Sequence, residues 1–388
     1  MGSDHLGYYA RVTSRVAVIR ADHYDIADLS SKLAAAFDAL GGLDALLDGH
    51  EEISGPARTV LLKPNLLATE SPGSAAVTHH TVFEAVARTL VAPHRRLVFG
   101  DSPAVHSTNA AAKACGIADA AERLGVEQLS FRESERVVYE EAVQNKVFPV
   151  AAACRQADSI VNLPKLKTHG FMTMTGAVKN IFGCVAGLEK ARFHAKLDDP
   201  TRFARMVVDL CRYVAPRLHI LDAVEAMEGN GPRNGSAFSL GVLLASADPV
   251  AVDTIGARLL GIEPESVPTI TEGHAAGLGT MTDIELVGDP LPKPNRAAVP
   301  ARGKAHIDLV PGGLKRLLKR LWIQSPVIHR DRCVRCYECI KICPTAPKSI
   351  AVDGDRVPAH RYDTCIRCYC CQETCPANAI TIRRKLFV

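Results

Sequence analysis

No stretch of this 388-residue chain stays apolar for the roughly 20 residues that a membrane-crossing helix needs. The longest candidate run, Phe238–Ala247, is about half that length. The opening residues, MGSDHLGYYARVTSR, lack the apolar core of a secretion signal, so the cytoplasm is the expected compartment. A dinucleotide fingerprint is also missing. The nearest string, Gly229-x-Gly231-x-x-x-Gly235, has the wrong spacing and contains Pro232, and it reads as a turn. There is no Walker loop. These absences remove any direct signal for NAD(P)H or ATP; a flavin has no universal motif and stays open. With 47% apolar and 23% charged residues, the composition excludes a disordered chain or a fibre.

Charge and cysteine are present but unevenly spread. Residues 301–388 carry 17 Lys+Arg against 7 Asp+Glu, while the preceding 300 residues carry 29 against 35. Nine of the 13 cysteines lie after residue 330. The length suits two domains, and composition sets the second one apart. Its cysteines fall at 333, 336, 339 and 343, before Pro344, and again at 365, 368, 371 and 375, before Pro376. Each run reads C-x2-C-x2-C-x3-C-P, the spacing of bacterial two-cluster ferredoxins. Three thiolates of a short loop wrap one cubane, and the fourth crosses to the other. The expected ligand sets are therefore Cys333, Cys336, Cys339 and Cys375 for one [4Fe–4S] cluster, and Cys365, Cys368, Cys371 and Cys343 for the second. Zinc sites pair two C-x2-C units instead, and disulfides need an oxidising compartment. Negative clusters would offset the basic charge, so no nucleic-acid partner is required. Cys370, beside Cys371, reads as a spectator thiol.

The first 290 residues alternate strand-like segments (15–19, 59–62, 97–100, 159–161, 219–221, 240–245) with helix-like ones (30–40, 81–91, 109–124, 202–214, 249–260). The expected fold is α/β, a mostly parallel sheet with flanking helices, followed by a small α+β ferredoxin-like domain. The expected boundaries are 1–290 for the core, 291–325 for a linker with a short basic amphipathic helix (Leu314, Leu317, Leu318 and Leu321 on one face), and 326–388 for the cluster domain.

Several strands run directly into polar residues: Lys63 and Asn65, Asp101, Asn162 and Lys165, Asp222, and Asp248. Ligands of open α/β sheets sit outside the carboxyl ends of the strands, so these residues are expected to line one crevice. For Asp248, which precedes Pro249, helix capping is the better reading. The segment from Asn162 to Asn180 gathers Lys165, Lys167, His169 and Lys179 among apolar residues; Arg192 and His194 follow. Closely spaced cations repel unless they share an anion, such as a carboxylate, an enolate or a developing oxyanion. Gly170, Gly176 and Gly183 would let the backbone close around such a ligand. His79, His80 and His274 read as structural.

The stretches LLKPNLL (61–67), GDSP (100–103), NLPKLKTHGFMTMTGAVKNIFG (162–183) and ADPVAVDT (247–254), followed by the paired cysteine runs, resemble the family named domain of unknown function 362. That resemblance implies an Fe–S protein and no assigned reaction. The interval from His169 to Lys179 is also similar to that of the nickel-pincer lactate racemase family, which implies a related fold. The racemase's glycine pair before its lysine is replaced here by Ala177-Val178, so a nickel-pincer nucleotide is not expected.

The resulting expectation is a reductase. An external donor (a ferredoxin, flavodoxin or reductase) supplies low-potential electrons, and a conjugated oxygen-bearing small molecule such as a quinone, enone or aromatic accepts them. Lys165, Lys167 and Lys179 would hold the oxygen anion. His169 would donate the proton, and Asp101 would orient the lysines. Lys63, Asn65, Asn162, Asn180, Arg192, His194 and Asp222 would bind substrate. The alternatives are an electron carrier whose lysines dock a partner, and a racemase- or lyase-like enzyme with structural clusters.

Overall fold

A computed structural model describes residues 13–48, 57–103, 106–187, 189–197, 199–298, 324–352, 354 and 356–384. The expected basic helix around 314–321 lies outside the described residues. Ten strands form one sheet: β1 (Ser14–Arg20), β2 (Arg58–Pro64), β3 (Arg95–Phe99), β4 (Glu127–Gln128), β7 (Ser159–Leu163), β8 (Lys165–His169), β9 (Thr173–Thr175), β10 (Leu218–Asn230), β11 (Asn234–Ser246) and β12 (Ile284–Gly288). β5 (Ser134–Val138) and β6 (Val147–Ala151) pair separately as a hairpin. The order is β12-β1-β11-β10-β7-β2-β3-β4, with β8 against β10 and β9 against β8. The pairs from β10 through β4 are parallel, as is β1 with β12; β11 runs antiparallel to both of its neighbours.

Both faces of the sheet are buried, as parallel sheets require. In β1, Val16 and Val18 pack with one core while Ala17 and Ile19 pack with the other. The second core is closed by the helices Ile26–Ala39 and His80–Leu90, and the first by Pro200–Val214 and Pro249–Leu259. The helical segment expected over 109–124 is two helices, Thr108–Ala114 and Ile117–Arg123, because Gly116 between them takes a left-handed φ of 82°. Among the described residues, no helix is long and apolar enough to cross a membrane.

β10 and β11 are 13-residue strands whose outer halves run beyond the sheet as a hairpin. The glycine string at 229–235 is the tip of that hairpin, a turn as expected. The tip holds the cluster module: Gln372 Nε2 donates to the carbonyl of Asn230 at 3.0 Å. The module is closed by β13 (Gln324–Ile328) pairing with β16 (Ile380–Arg384), and by β14 (Ile350–Val352) with β15 (Pro358–His360).

Asp248 caps the helix Pro249–Leu259, accepting from Val250 N at 2.8 Å and Ala251 N at 2.9 Å, and its other oxygen holds Thr280 N and Ser14 Oγ. Asp248→Ala should lower the unfolding free energy by about 2 kcal/mol, because a cap and two further bonds are lost together. Denaturant titration followed by circular dichroism measures it; an unchanged midpoint would contradict this account of the helix start.

Candidate functional site

The cluster module contains two hollows. One, of about 330 Å³, is lined by Cys333, Cys336, Cys339 and Cys375. The other, of about 300 Å³, is lined by Cys343, Cys365, Cys368 and Cys371. Each hollow thus takes its fourth cysteine from the other run. Among the described residues, no three His, Cys, Asp or Glu side chains converge as a site for a single metal ion. Four cysteines around each hollow, crossed between the two runs, suit the ligation of two cubanes. Ile328, Ala379 and Ile380 line the first hollow, and Pro326, Ile350 and Ile366 the second; these apolar walls limit water on the inner side, while Cys336 is exposed. The two loops repeat at the backbone level. Arg335 and Arg367 have φ of 59° and 58°, and Tyr337 and Tyr369 both have φ of 61°, each pair preceding a short helix. Residues of this type rarely adopt left-handed φ, so the loop shape is imposed by its packing.

A small crevice lies where the module meets the α/β core. Lys167, Lys179, Lys190, Asn65, Asp101 and His194 line it from the core, and Cys370, Glu373, Thr374 and Ile342 from the module. Cys370 and Ile342 pack with Ala191 and with the cluster-run cysteine Cys368, so the second hollow abuts the crevice.

Buried ion pairs and amides build the floor. Lys63 Nζ meets Asp101 Oδ1 at 2.9 Å, both fully buried, and Leu66 N donates to Asp101 Oδ2 at 2.8 Å. Burial alone would raise Asp101, but Lys63 and Lys190 outweigh it and hold the carboxyl below its ordinary range. Gly183 makes this arrangement possible, since a Cβ there would collide with Asp101 Oδ1 and crowd Lys63 Nζ. Lys167 Nζ donates to Asn65 Oδ1 at 2.6 Å and to the carbonyl of Ala76. Asn65 Nδ2 donates to Asn180 Oδ1 at 3.0 Å, and Asn180 Nδ2 to Asn162 Oδ1 at 2.8 Å. Burial and the nearby Lys179 push Lys167 down to about 7. Burial likewise brings Lys190, bound to the carbonyl of Ser102, down to about 8. Lys179 is lowered by burial and raised by Glu373 across the crevice.

Several residues expected here lie elsewhere. Lys165, Lys167 and His169 share one face of β8, but residues four apart on a strand stand about 13 Å apart and reach different neighbours. Lys165 is opposite Asp222 in the register of β8 and β10 and pairs with it at 2.8 Å; Tyr24 OH accepts from Lys165 at 2.9 Å and donates to Asp222 Oδ1 at 3.1 Å. This cluster is satisfied internally, and neither Lys165 nor Asp222 lines the crevice. His169 does not line it either. Its Nδ1 accepts from Phe171 N at 3.0 Å and Met172 N at 3.2 Å, which leaves the proton on Nε2. Nε2 lies 3.1 Å from Glu373 Oε1 in a close contact without hydrogen-bond alignment. Asn162 is buried beneath the crevice, donating to the carbonyl of Ala177 at 2.9 Å. Arg192, with its side chain 72% exposed, pairs with Glu189 on the surface of its helix. Gly170 and Gly176 close the backbone on Ile382 and on the Asp253 carboxylate, not on a ligand.

Sequence reasoning missed Lys190 and Glu373. Glu373 occupies the position that Lys341 holds in the first cysteine run, and that reversal of charge between two otherwise matched runs was a legible signal.

Burial pulls His169 and His219 down to about 3, and His79, His194 and His360 down to about 4. The unfolded chain therefore binds more protons below about pH 6.5, and the stability from these neutral imidazoles, fully present above that pH, is lost on acidification. Asp253, lifted by burial to about 7, opposes this with a single proton. The denaturation midpoint should fall between pH 6.5 and 5, and His194→Phe should reduce the slope by about one proton. A slope unchanged in that variant would mean that His194 is already charged in the folded protein.

Residues 60–258 match the family model described as Domain of unknown function (DUF362), and residues 325–376 match a 4Fe-4S dicluster domain. A thylakoid-associated protein of Synechocystis sp. is 34% identical over 285 residues, covering 73% of this chain and 85% of that protein. The lactate racemase apoprotein of Thermoanaerobacterium thermosaccharolyticum is similar over 64% of this chain at 9% identity, with a TM-score of 0.41. That similarity spans 57% of the racemase, less than two thirds of its length. This chain belongs to the DUF362 family and carries a 4Fe-4S dicluster domain toward its C-terminal end.

Proposed function

We propose that this protein is a cytoplasmic iron–sulfur reductase that binds a conjugated, oxygen-bearing small molecule in the crevice between its α/β core and its cluster module. The observation that carries this reading is the crevice itself. Its lysines face inward toward the wall that adjoins Cys368, whereas a docking surface would present them on a convex face. Two [4Fe–4S] clusters, one on Cys333, Cys336, Cys339 and Cys375 and one on Cys343, Cys365, Cys368 and Cys371, would supply single low-potential electrons received from an external donor protein.

The chain's own residues bind, polarise and protonate. Saturating a conjugated carbon–carbon bond takes two electrons and two protons, with charge building on the carbonyl oxygen in between. Lys179 has no hydrogen bond or ion pair of its own among the described residues and stands ready to receive that oxygen. Lys167, at about 7, is the proton donor best matched to neutral pH, and Asn65 and the Ala76 carbonyl hold its ammonium in place. This role passes from His169, which is neutral at that pH and points at Glu373. Glu373 lies below the usual carboxylate range, where Lys179 across the crevice favours its ionised form against the effect of burial, and it balances Lys179.

Anaerobically purified protein should contain about eight irons per chain, and Cys333→Ala about four. Lys179→Ala should keep the cluster absorbance and lose at least 100-fold in reoxidation of photoreduced clusters by a quinone, enone or aromatic acceptor. Lys167→Met should do the same, and the wild-type rate should decline as pH rises through about 7. Activity without a reduced donor, or full activity in Lys179→Ala, would overturn the reading.

A further inference from the structure

The charges around the crevice do not balance. Asp101 is bonded to Lys63 and Leu66 N and also acts on Lys190, so four lysines, Lys63, Lys167, Lys179 and Lys190, face the two carboxylates of Asp101 and Glu373. The partners of Lys167 and Lys190 are neutral carbonyl and amide oxygens. Lys167 is buried and Lys179 and Lys190 are half-buried, so the excess of positive charge carries a cost that a bound anion would offset. His194 adds an independent sign. It is 5% exposed, lines the same crevice, stacks on Phe203 at 4.4 Å, and its Nδ1 has no hydrogen-bond partner. Leu67, Pro103, Phe182, Ala191, Pro232 and Ile342 form the apolar part of the lining, beside the polar side chains of Asn65, Ser102, Thr175, Asn180 and Thr374.

We infer that the substrate is a conjugated carboxylate, its carboxyl group held by Lys179 and Lys190 with His194 adding a hydrogen bond, and its flat apolar body lying between Phe182 and Ile342. This deepens the reductase reading and rests on it for the word substrate. Binding of the carboxylate rests on the charge balance and on the unpartnered His194 Nδ1, not on electron transfer. A neutral quinone or enone would leave the two cations uncompensated, and a carboxylate removes that cost. The competing sink for the positive charge is the clusters themselves, whose thiolate-ligated cores are negative. If they are the counter-charge, the crevice has no preference for an anion.

The test uses anaerobic, oxidised, cluster-loaded protein and calorimetric titration with cinnamate and its neutral isostere cinnamamide. Cinnamate should bind at least 10-fold more tightly. Lys190→Gln and Lys179→Gln, both with unchanged cluster absorbance, should each remove most of that preference, and Lys190→Arg should restore part of it. Equal affinities, binding of neither compound at millimolar concentration, or a preference that survives both lysine variants would overturn the inference. Reoxidation of photoreduced clusters keeps the two claims apart. If cinnamate binds with the predicted preference but no conjugated acceptor reoxidises the clusters, the carboxylate site stands and the reductase reading falls. If neutral enones reoxidise the clusters and cinnamate does not bind, the reverse holds.

Discussion

A lysine ammonium inside a protein must find an acceptor or give up its proton, and the interior of this protein is arranged around that requirement. Lys63 solves it with Asp101 and Lys165 with Asp222, each in a closed pair. Lys167 solves it with an amide and a carbonyl oxygen. Lys179 has none of these and faces Glu373 across the crevice. Lys63 sits near the end of β2, Lys165 and Lys167 on β8 and Lys179 in the short helix Ala177–Asn180, and their different partners give them different chemistry. Two are closed in buried ion pairs, one is poised near neutral pH, and one lines the crevice opposite Glu373.

The second constraint is the apposition of two modules. The hairpin of β10 and β11 reaches past the sheet and clasps the short helix Cys370–Thr374, and Gly170 brings the backbone after β8 against Ile382. Within the module, two cysteine runs share a backbone plan down to paired left-handed residues, but their helices differ in what they present. The first carries Glu338 and Lys341, and the second Cys370 and Glu373 at the matching positions. Only the second completes the crevice with a charge. The α/β core supplies the cations, and the cluster module supplies both the anion opposite them and the wall beside Cys368.

Much of this was legible in the sequence. The strand and helix segments, the two cysteine runs with their crossed fourth members, the turn at 229–235 and the cap at Asp248 all follow from local rules: periodicity, spacing, and the backbone preferences of glycine, proline and aspartate. The membership of the crevice was legible only in part. Lys167, Lys179, Asp101, Asn65, Asn180 and His194 do meet there, while His169, Lys165, Asp222 and Asn162 are turned to other partners and Arg192 faces solvent.

By itself, then, the sequence determined which elements form, because those depend on residues close together along the chain, and the repeated cysteine spacing showed which thiols gather, although each hollow takes one cysteine from the other run. The tertiary structure alone decided which charges cancel. Asp222 comes to Lys165 through the pairing of β8 and β10, and Glu373 comes to His169 and Lys179 across a module boundary of some two hundred residues. Electrostatic energy falls off with distance in space and is indifferent to distance along the chain, so the division of the lysines into paired and crevice-lining ones exists only once the sheet has paired and the module has docked.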